Sequence, residues 1–210
     1  MSKEKLALAI EIAVAVIFVV CAYLVFGRSP DIRNYPPKAG PMVFLGDSLV
    51  RGVGASPGND LPVLLSRVVG ESVENFGVSG DTSAMGLARL DSVIAREPAV
   101  ALILLGGNDY LQKVPVDETF SNLKSIITRL QGSGAVVIVI GIRGGALRDN
   151  FEDRFEALVA ETGSAYVPDA LGGIIGDGRY MSDAVHPNDA GYSRIAERIA
   201  RVLKSVTKRP

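Results

Sequence analysis

The chain has 210 residues, 48% of them apolar and 21% charged, which suits one packed domain with an appendage and excludes a disordered chain. A formal net charge of −1 implies no basic face, so nucleic acid is not an expected partner. Cys21 is the one cysteine, which excludes an intrachain disulfide, and with a single histidine a zinc site would need mostly carboxylates and is not expected.

The first element is apolar. Leu6 to Phe26 carries one charge, Glu11. As a helix it would span about 31 Å, enough to cross the hydrocarbon of a bilayer. A cleaved signal peptide would have a shorter apolar core and a small-x-small site, and Gly27-Arg28-Ser29-Pro30 fits that poorly. Val20 before Cys21 argues against lipoprotein processing. The expectation is an uncleaved transmembrane helix in a membrane anchor of residues 1–28, with secretion after cleavage as the alternative. Lys3 and Lys5 nearly balance Arg28, Arg33 and Lys38, so charge does not orient it. A periplasmic or other extracytoplasmic domain is the preferred arrangement. Residues 29–40 contain Pro30, Pro36 and Pro37 and read as an extended linker.

The domain follows over 41–210. Its predicted strands are Met42–Leu45, Ser72–Phe76, Val100–Leu105, Val136–Ile140 and Ala165–Val167. The third and fourth are nearly continuous Val, Ile and Leu, as in strands covered on both faces. Helical patterns lie between them. Asp60 is placed to cap a helix through Val69, with Pro62 in its first turn. Asp81 is placed to cap another that runs to Ile94 and ends before Pro98. Further helices are predicted over about Asp117–Leu130 and Asn150–Glu161. The last starts at Asn188 and carries Ile195, Ile199, Val202 and Leu203 on one stripe. This alternation predicts an α/β fold, a parallel sheet with helices on both faces.

In such a sheet, ligands bind beyond the carboxyl ends of the strands. Ser48 follows the first strand, Gly80 the second and Asn108 the third, while Asp183 and the lone His186 precede the last helix. Serine needs a base to become a nucleophile, and His186 is the only imidazole that could serve. Asp183, three residues earlier, could accept the other ring N–H and fix the tautomer. An oxyanion needs donors. Candidates are the Ser48 backbone N–H, the Gly80 backbone N–H at a helix start, and the Asn108 side-chain amide. Gly and Asn also favour turns, and an aspartate three residues before a histidine can be a simple cap. Asp47 and Asp109 read as carboxylates that anchor loop N–H groups, and Asn75 as a strand-end structural residue. Arg143 could meet an anionic group or be a solvated arginine.

Four blocks carry a resemblance: Gly46-Asp47-Ser48-Leu49, Gly80 within Val78–Ser83, Asn108 within Gly106-Gly107-Asn108-Asp109, and Asp183-x-x-His186-Pro187. They resemble the GDSL, or SGNH, hydrolases. Asn75–Ser83 together with Gly86–Leu90 is similar to the multifunctional acyl-CoA thioesterase I/lysophospholipase/arylesterase branch. The resemblance implies a three-layer, flavodoxin-like domain with a five-stranded parallel sheet of order 2-1-3-4-5. It implies Ser48, Asp183 and His186 as the catalytic triad, and Ser48, Gly80 and Asn108 as the oxyanion hole. The implied reaction is hydrolysis of small-molecule acyl esters or thioesters through an acyl-enzyme, with no cofactor. Val50 stands where an α/β-hydrolase elbow would have its second glycine. Gly144-Gly145-Ala146-Leu147-Arg148 lacks the proline-containing substrate loop of the thioesterase branch. A carbohydrate O-deacetylase or acyltransferase acting on cell-envelope glycans is the alternative, and a non-catalytic scaffold is a third, though no block is missing.

Overall fold

The structure is a computed structural model that describes residues 32–142 and 151–207. Strands and helices alternate: β1 (Met42–Gly46), α1 (Ser48–Arg51), α2 (Leu61–Val69), β2 (Val73–Gly77), α3 (Ser83–Ala88), α4 (Leu90–Ile94), β3 (Val100–Leu104), α5 (Gly107–Leu111), α6 (Val116–Gly132), β4 (Val136–Ile140), α7 (Phe151–Thr162), β5 (Ala165–Val167) and α8 (Asp189–Thr207). The five strands pair in the order β2-β1-β3-β4-β5. Every pairing is parallel, with Phe44 opposite Asn75 on one side and Leu102 on the other.

Alternation along each strand divides the core in two. Phe44, Leu102 and Ile138 pack with Leu61 and Leu65 of α2 and with Ile195, Ile199 and Leu203 of α8. Leu45, Ile103 and Val139 pack on the opposite face with Leu90, Leu123, Ile127 and Phe155 of α4, α6 and α7. β1, β3 and β4 are buried at every position, which is why their sequences are apolar runs rather than alternating ones. The result is the expected three layers. Each buried isoleucine on α8 contributes roughly 1.5–3 kcal/mol by leaving water. Val202 sits at the edge of the stripe, half-buried.

Local signals explain most boundaries. Asp60 accepts a hydrogen bond from Val63 N at 3.1 Å, and Gly70 closes α2 in the left-handed region at φ 78°. The helix expected to start at Asp81 is different. Thr82 is its cap, accepting from Met85 N at 3.3 Å, and the run breaks at Arg89 into α3 and α4. Asp81 is instead drawn into an ion pair with Arg89 at 2.6 Å.

The expected transmembrane helix is corrected. Among the described residues no helix is long and apolar enough to cross a membrane. The longest described helix, α8 with 19 residues, buries one stripe against the sheet and carries Arg194, Glu197, Arg198, Arg201 and Lys204 elsewhere. Leu6–Phe26, on which that expectation rested, lies outside the described residues. The proline-rich stretch is tied to the domain from Ile32 onward. Arg33 N donates to Gly163 O at 2.8 Å. Asn34 Nδ2 donates to Gln131 O at 2.8 Å and to Ala135 O at 2.9 Å.

Candidate active site

The serine is set by a tight passage from strand to helix. A Cβ on Gly46 would lie 2.2 Å from Val50 Cγ2 and 2.7 Å from Leu104 O, so a side chain there would push α1 off the sheet. The Asp47 carboxylate accepts from Leu49 N at 3.0 Å and caps α1, whose first residue is Ser48. Asn75 holds the other end: its Nδ2 donates to Val50 O at 3.0 Å, and its Oδ1 accepts from Gly77 N at 2.8 Å. Asn75 thus has the structural role expected of it.

The histidine comes from the loop before α8. Asp183 Oδ1 accepts from Val185 N and His186 N, each at 2.8 Å, and Asp183 Oδ2 lies 2.8 Å from His186 Nδ1. The Val185 N–H, the imidazole and the His186 N–H hold the Asp183 carboxyl down at about 2, so it is ionised at neutral pH. A carboxylate at Nδ1 selects the tautomer that leaves Nε2 free to accept. His186 Nε2 lies 3.1 Å from Ser48 Oγ. Three more hydrogen bonds join the start of α8 to the segment after α1. Tyr192 Oη donates to Val53 O at 2.7 Å. Asp189 accepts from Ser56 N at 2.7 Å and from Asn59 Nδ2 at 3.0 Å.

The expected oxyanion donors Gly80 and Asn108 lie on two further segments that line the same cavity as Ser48. Gly80 lies in a turn closed by Asp81 N donating to Val78 O at 3.2 Å. Its φ of 87° favours glycine, while a Cβ there would meet nothing within 4 Å. Conformation rather than crowding requires this glycine, and its N–H belongs to a turn and not to a helix start. Asn108 lies in α5, just after Gly106 at φ 113°. Its Nδ2 donates to Asp81 O at 3.0 Å and to Asp47 Oδ2 at 3.2 Å. Burial pushes the Asp47 carboxyl up to about 6, against the pull of the Leu49 N–H and His186. Ser48, Gly80, Asn108 and His186 all line one cavity of about 450 Å³. Its other walls include Leu49, Val53, Leu111, Phe151, Leu171 and Ile175.

A buried carboxylate and a half-buried arginine support this rim. Asp109, fully buried, accepts from Ser83 N at 2.8 Å, from Ser83 Oγ, and from Thr119 Oγ1 at 3.2 Å. It fixes the Asn108 segment to the starts of α3 and α6, as a loop-anchoring carboxylate should. Arg89, part of the Gly86–Leu90 stretch, was given no role from the sequence. Besides Asp81, it donates to Gly46 O at 3.0 Å and to Phe76 O at 2.8 Å, gathering the carboxyl ends of β1 and β2. The available signal was an arginine inside an otherwise apolar helical pattern. Arg143 and the 144–148 loop lie outside the described residues. No group of three His, Cys, Asp or Glu side chains among the described residues is placed to hold a metal ion.

Comparison with known proteins agrees with this geometry. The sequence model of the GDSL-like lipase/acylhydrolase family matches residues 44–194. Esterase TesA of Pseudomonas aeruginosa is 33% identical over 175 residues, which are 78% of this chain and 87% of that protein. A protein of Escherichia coli named thioesterase 1/protease 1/lysophospholipase L1 is 30% identical over 175 residues, covering 79% of this chain and 84% of the relative. A crystal structure of TesA superposes with a TM-score of 0.75 at 31% identity, over 79% of this chain and 99% of that one. The esterase EstA of a Pseudoalteromonas species, in a structure inhibited by monoethylphosphonate, gives a TM-score of 0.71 at 25% identity, over 80% and 98% of the two chains. The chain belongs to the GDSL-like lipase/acylhydrolase family and is a hydrolase acting on ester bonds.

Proposed function

We propose that Ser48 is the nucleophile of this serine esterase, His186 its general base and acid, and Asp183 the group that orients His186. The observation that carries the reading is the continuous hydrogen-bonded line from Asp183 Oδ2 through the imidazole to Ser48 Oγ, with steps of 2.8 Å and 3.1 Å. Ser48 Oγ attacks the substrate carbonyl carbon while its proton passes to His186 Nε2. The carbonyl oxygen becomes an oxyanion that accepts from the Ser48 and Gly80 backbone N–H groups and from Asn108 Nδ2, which exchanges one of its two acceptors, Asp81 O, for the oxyanion. Collapse breaks the bond to the leaving oxygen or sulfur, which takes the proton from His186. Water then attacks the acyl-enzyme, with His186 accepting its proton, and Ser48 is regenerated with release of the acid.

The substrate class follows from the walls. Leu49, Val53, Leu111, Leu171 and Ile175 give an acyl chain an apolar channel beside Ser48. A polar, acetylated glycan would leave its hydroxyls unpaired against such walls. Esters and thioesters with an aliphatic acyl group are therefore the proposed substrates, a range consistent with the arylesterase, thioesterase and lysophospholipase names borne by relatives.

Ser48→Ala should abolish both turnover of a p-nitrophenyl ester and labelling by a fluorophosphonate. Labelling that survives in the variant refutes Ser48 as nucleophile. A panel of p-nitrophenyl esters, acyl-CoA and acetylated glycan tests the substrate class, and a preference for the glycan refutes it.

A further inference from the structure

We propose that Asp189 and Tyr192, both in the first turn of α8, are positioning residues for His186: they grip the segment 53–59 that follows α1 and so hold the imidazole at hydrogen-bonding distance from Ser48. This rests on the mechanism above, in which His186 takes the Ser48 proton.

The bonds that shape the histidine loop are local. Ser182 N and Ser182 Oγ donate to His186 O at 2.9 Å and 3.0 Å, and the Asp183 carboxylate holds the ring. These partners lie within four positions of His186 and move with it. They set the shape of the loop but not its register against α1. The register comes from contacts that cross to the serine. Val53 N donates to Ser48 O at 3.0 Å, and Val53 O accepts from Tyr192 Oη at 2.7 Å. A single residue, Val53, thus links the nucleophile's own carbonyl to α8. Asp189 grips the same segment further along, accepting from Ser56 N at 2.7 Å and from Asn59 Nδ2 at 3.0 Å. Between the two grips the surfaces meet without slack: a Cβ on Gly54 would lie 2.2 Å from Ser182 Oγ and 2.5 Å from Pro187 O.

Capping and packing alone do not call for these two polar groups. Tyr192 is fully buried, and a phenylalanine would fill the same space. Asn188 already caps α8, its Oδ1 accepting from Ala190 N at 3.0 Å and from Gly191 N at 3.1 Å. Both Asp189 oxygens are spent instead on the 53–59 segment. The Ser56 N–H, the Ser56 hydroxyl and Asn59 hold the Asp189 carboxyl below its ordinary value, so it grips as a charged acceptor. A reacting group displaced by about 1 Å can cost about 10²-fold in rate, which is why such a clamp matters to the chemistry.

The double variant Asp189→Ala/Tyr192→Phe releases both grips and keeps the aromatic ring in the core. We expect kcat on a p-nitrophenyl ester to fall about 10²-fold with KM nearly unchanged. His186 is the one histidine of the chain, so nitrogen NMR of histidine-labelled protein reads its ring without ambiguity. Ser48→Ala supplies the spectrum of an imidazole without its serine partner. The ring signals of the double variant should move from the wild-type positions toward those of Ser48→Ala. Loss of stability alone would leave the signals of the folded molecules in place. A kcat within about twofold of wild type, or wild-type ring signals in the folded double variant, overturns the proposal. Tyr192→Phe alone deletes one oxygen, and the same two readings, with the same expected directions, apply to it if the double variant does not fold. Ring signals that stay unmoved in Ser48→Ala itself would end the serine–histidine pairing and this proposal with it. Signals that move in Ser48→Ala but not in the clamp variants refute the clamp alone.

Discussion

Burying Asp47 has a thermodynamic consequence that can be measured apart from catalysis. Its carboxyl titrates near 3.8 in the unfolded chain and at about 6 in the folded protein, chiefly because burial penalises the charge. His186 attracts that charge and Asp81 repels it. Below the lower value both states are protonated and there is no cost. Between the two values the folded protein binds more protons, so stability falls as pH rises. Above about 6 the cost is fully present. A shift of about two units corresponds to about 3 kcal/mol. Asp47→Asn removes this titration while retaining a cap. Relative to wild type, the variant should gain about 3 kcal/mol between about pH 4 and pH 7, or roughly 6–12 °C in Tm. Parallel urea unfolding series on both proteins measure the difference, and comparison at each pH cancels the contribution of other groups. Two stability curves that run parallel across this range would refute a buried, ionised Asp47.

Other outcomes follow from the same geometry. Asn108→Ala should lower kcat about 10²–10³-fold in a steady-state esterase assay. Asp183→Asn should lower kcat by about 10⁴, because the amide favours the wrong imidazole tautomer. Ionised Asp183 stabilises the fold above about pH 4, and that contribution is lost as pH falls toward its folded value of about 2, so Asp183→Asn should flatten the acid limb of the stability curve. Gly46→Ala should cost at least about 1–3 kcal/mol in chemical denaturation, since its Cβ would overlap Val50 and the Leu104 carbonyl. Leu171→Trp should narrow the cavity and shift the ester panel toward shorter acyl chains, with little effect on turnover of an acetyl ester.

The order of elements was legible because each strand announces itself. β3 and β4 have no polar residue to turn outward, and a run like Val136–Ile140 has few homes other than a strand covered on both sides. Ser48, Gly80 and Asn108 were legible as rim residues because each follows a strand, and His186 because the chain has no other imidazole. What eluded reading was contact between distant side chains. Asp81 looked like a cap because aspartate before a helical pattern usually is one. Its pairing with Arg89 depends on how β1 and β2 bring their ends together. The second oxygen of Asp47 was hidden for the same reason, since its partner lies 61 positions along the chain. The proline-rich stretch suggested a spacer from composition alone, but Asn34 finds two carbonyls at the end of α6 to bind.

The pair joined by the proposed mechanism is drawn from distant parts of the chain, 138 positions apart. Ser48 leaves the central part of the sheet, whereas His186 is delivered only when α8 has seated on α2 and the strands beneath. On the proposed mechanism, hydrolytic competence is therefore a property of the finished domain and not of any fragment of it. A molecule whose closing helix has peeled away would keep much of its sheet yet be chemically silent, so turnover reports on the docking of that helix more sensitively than spectroscopy of the backbone.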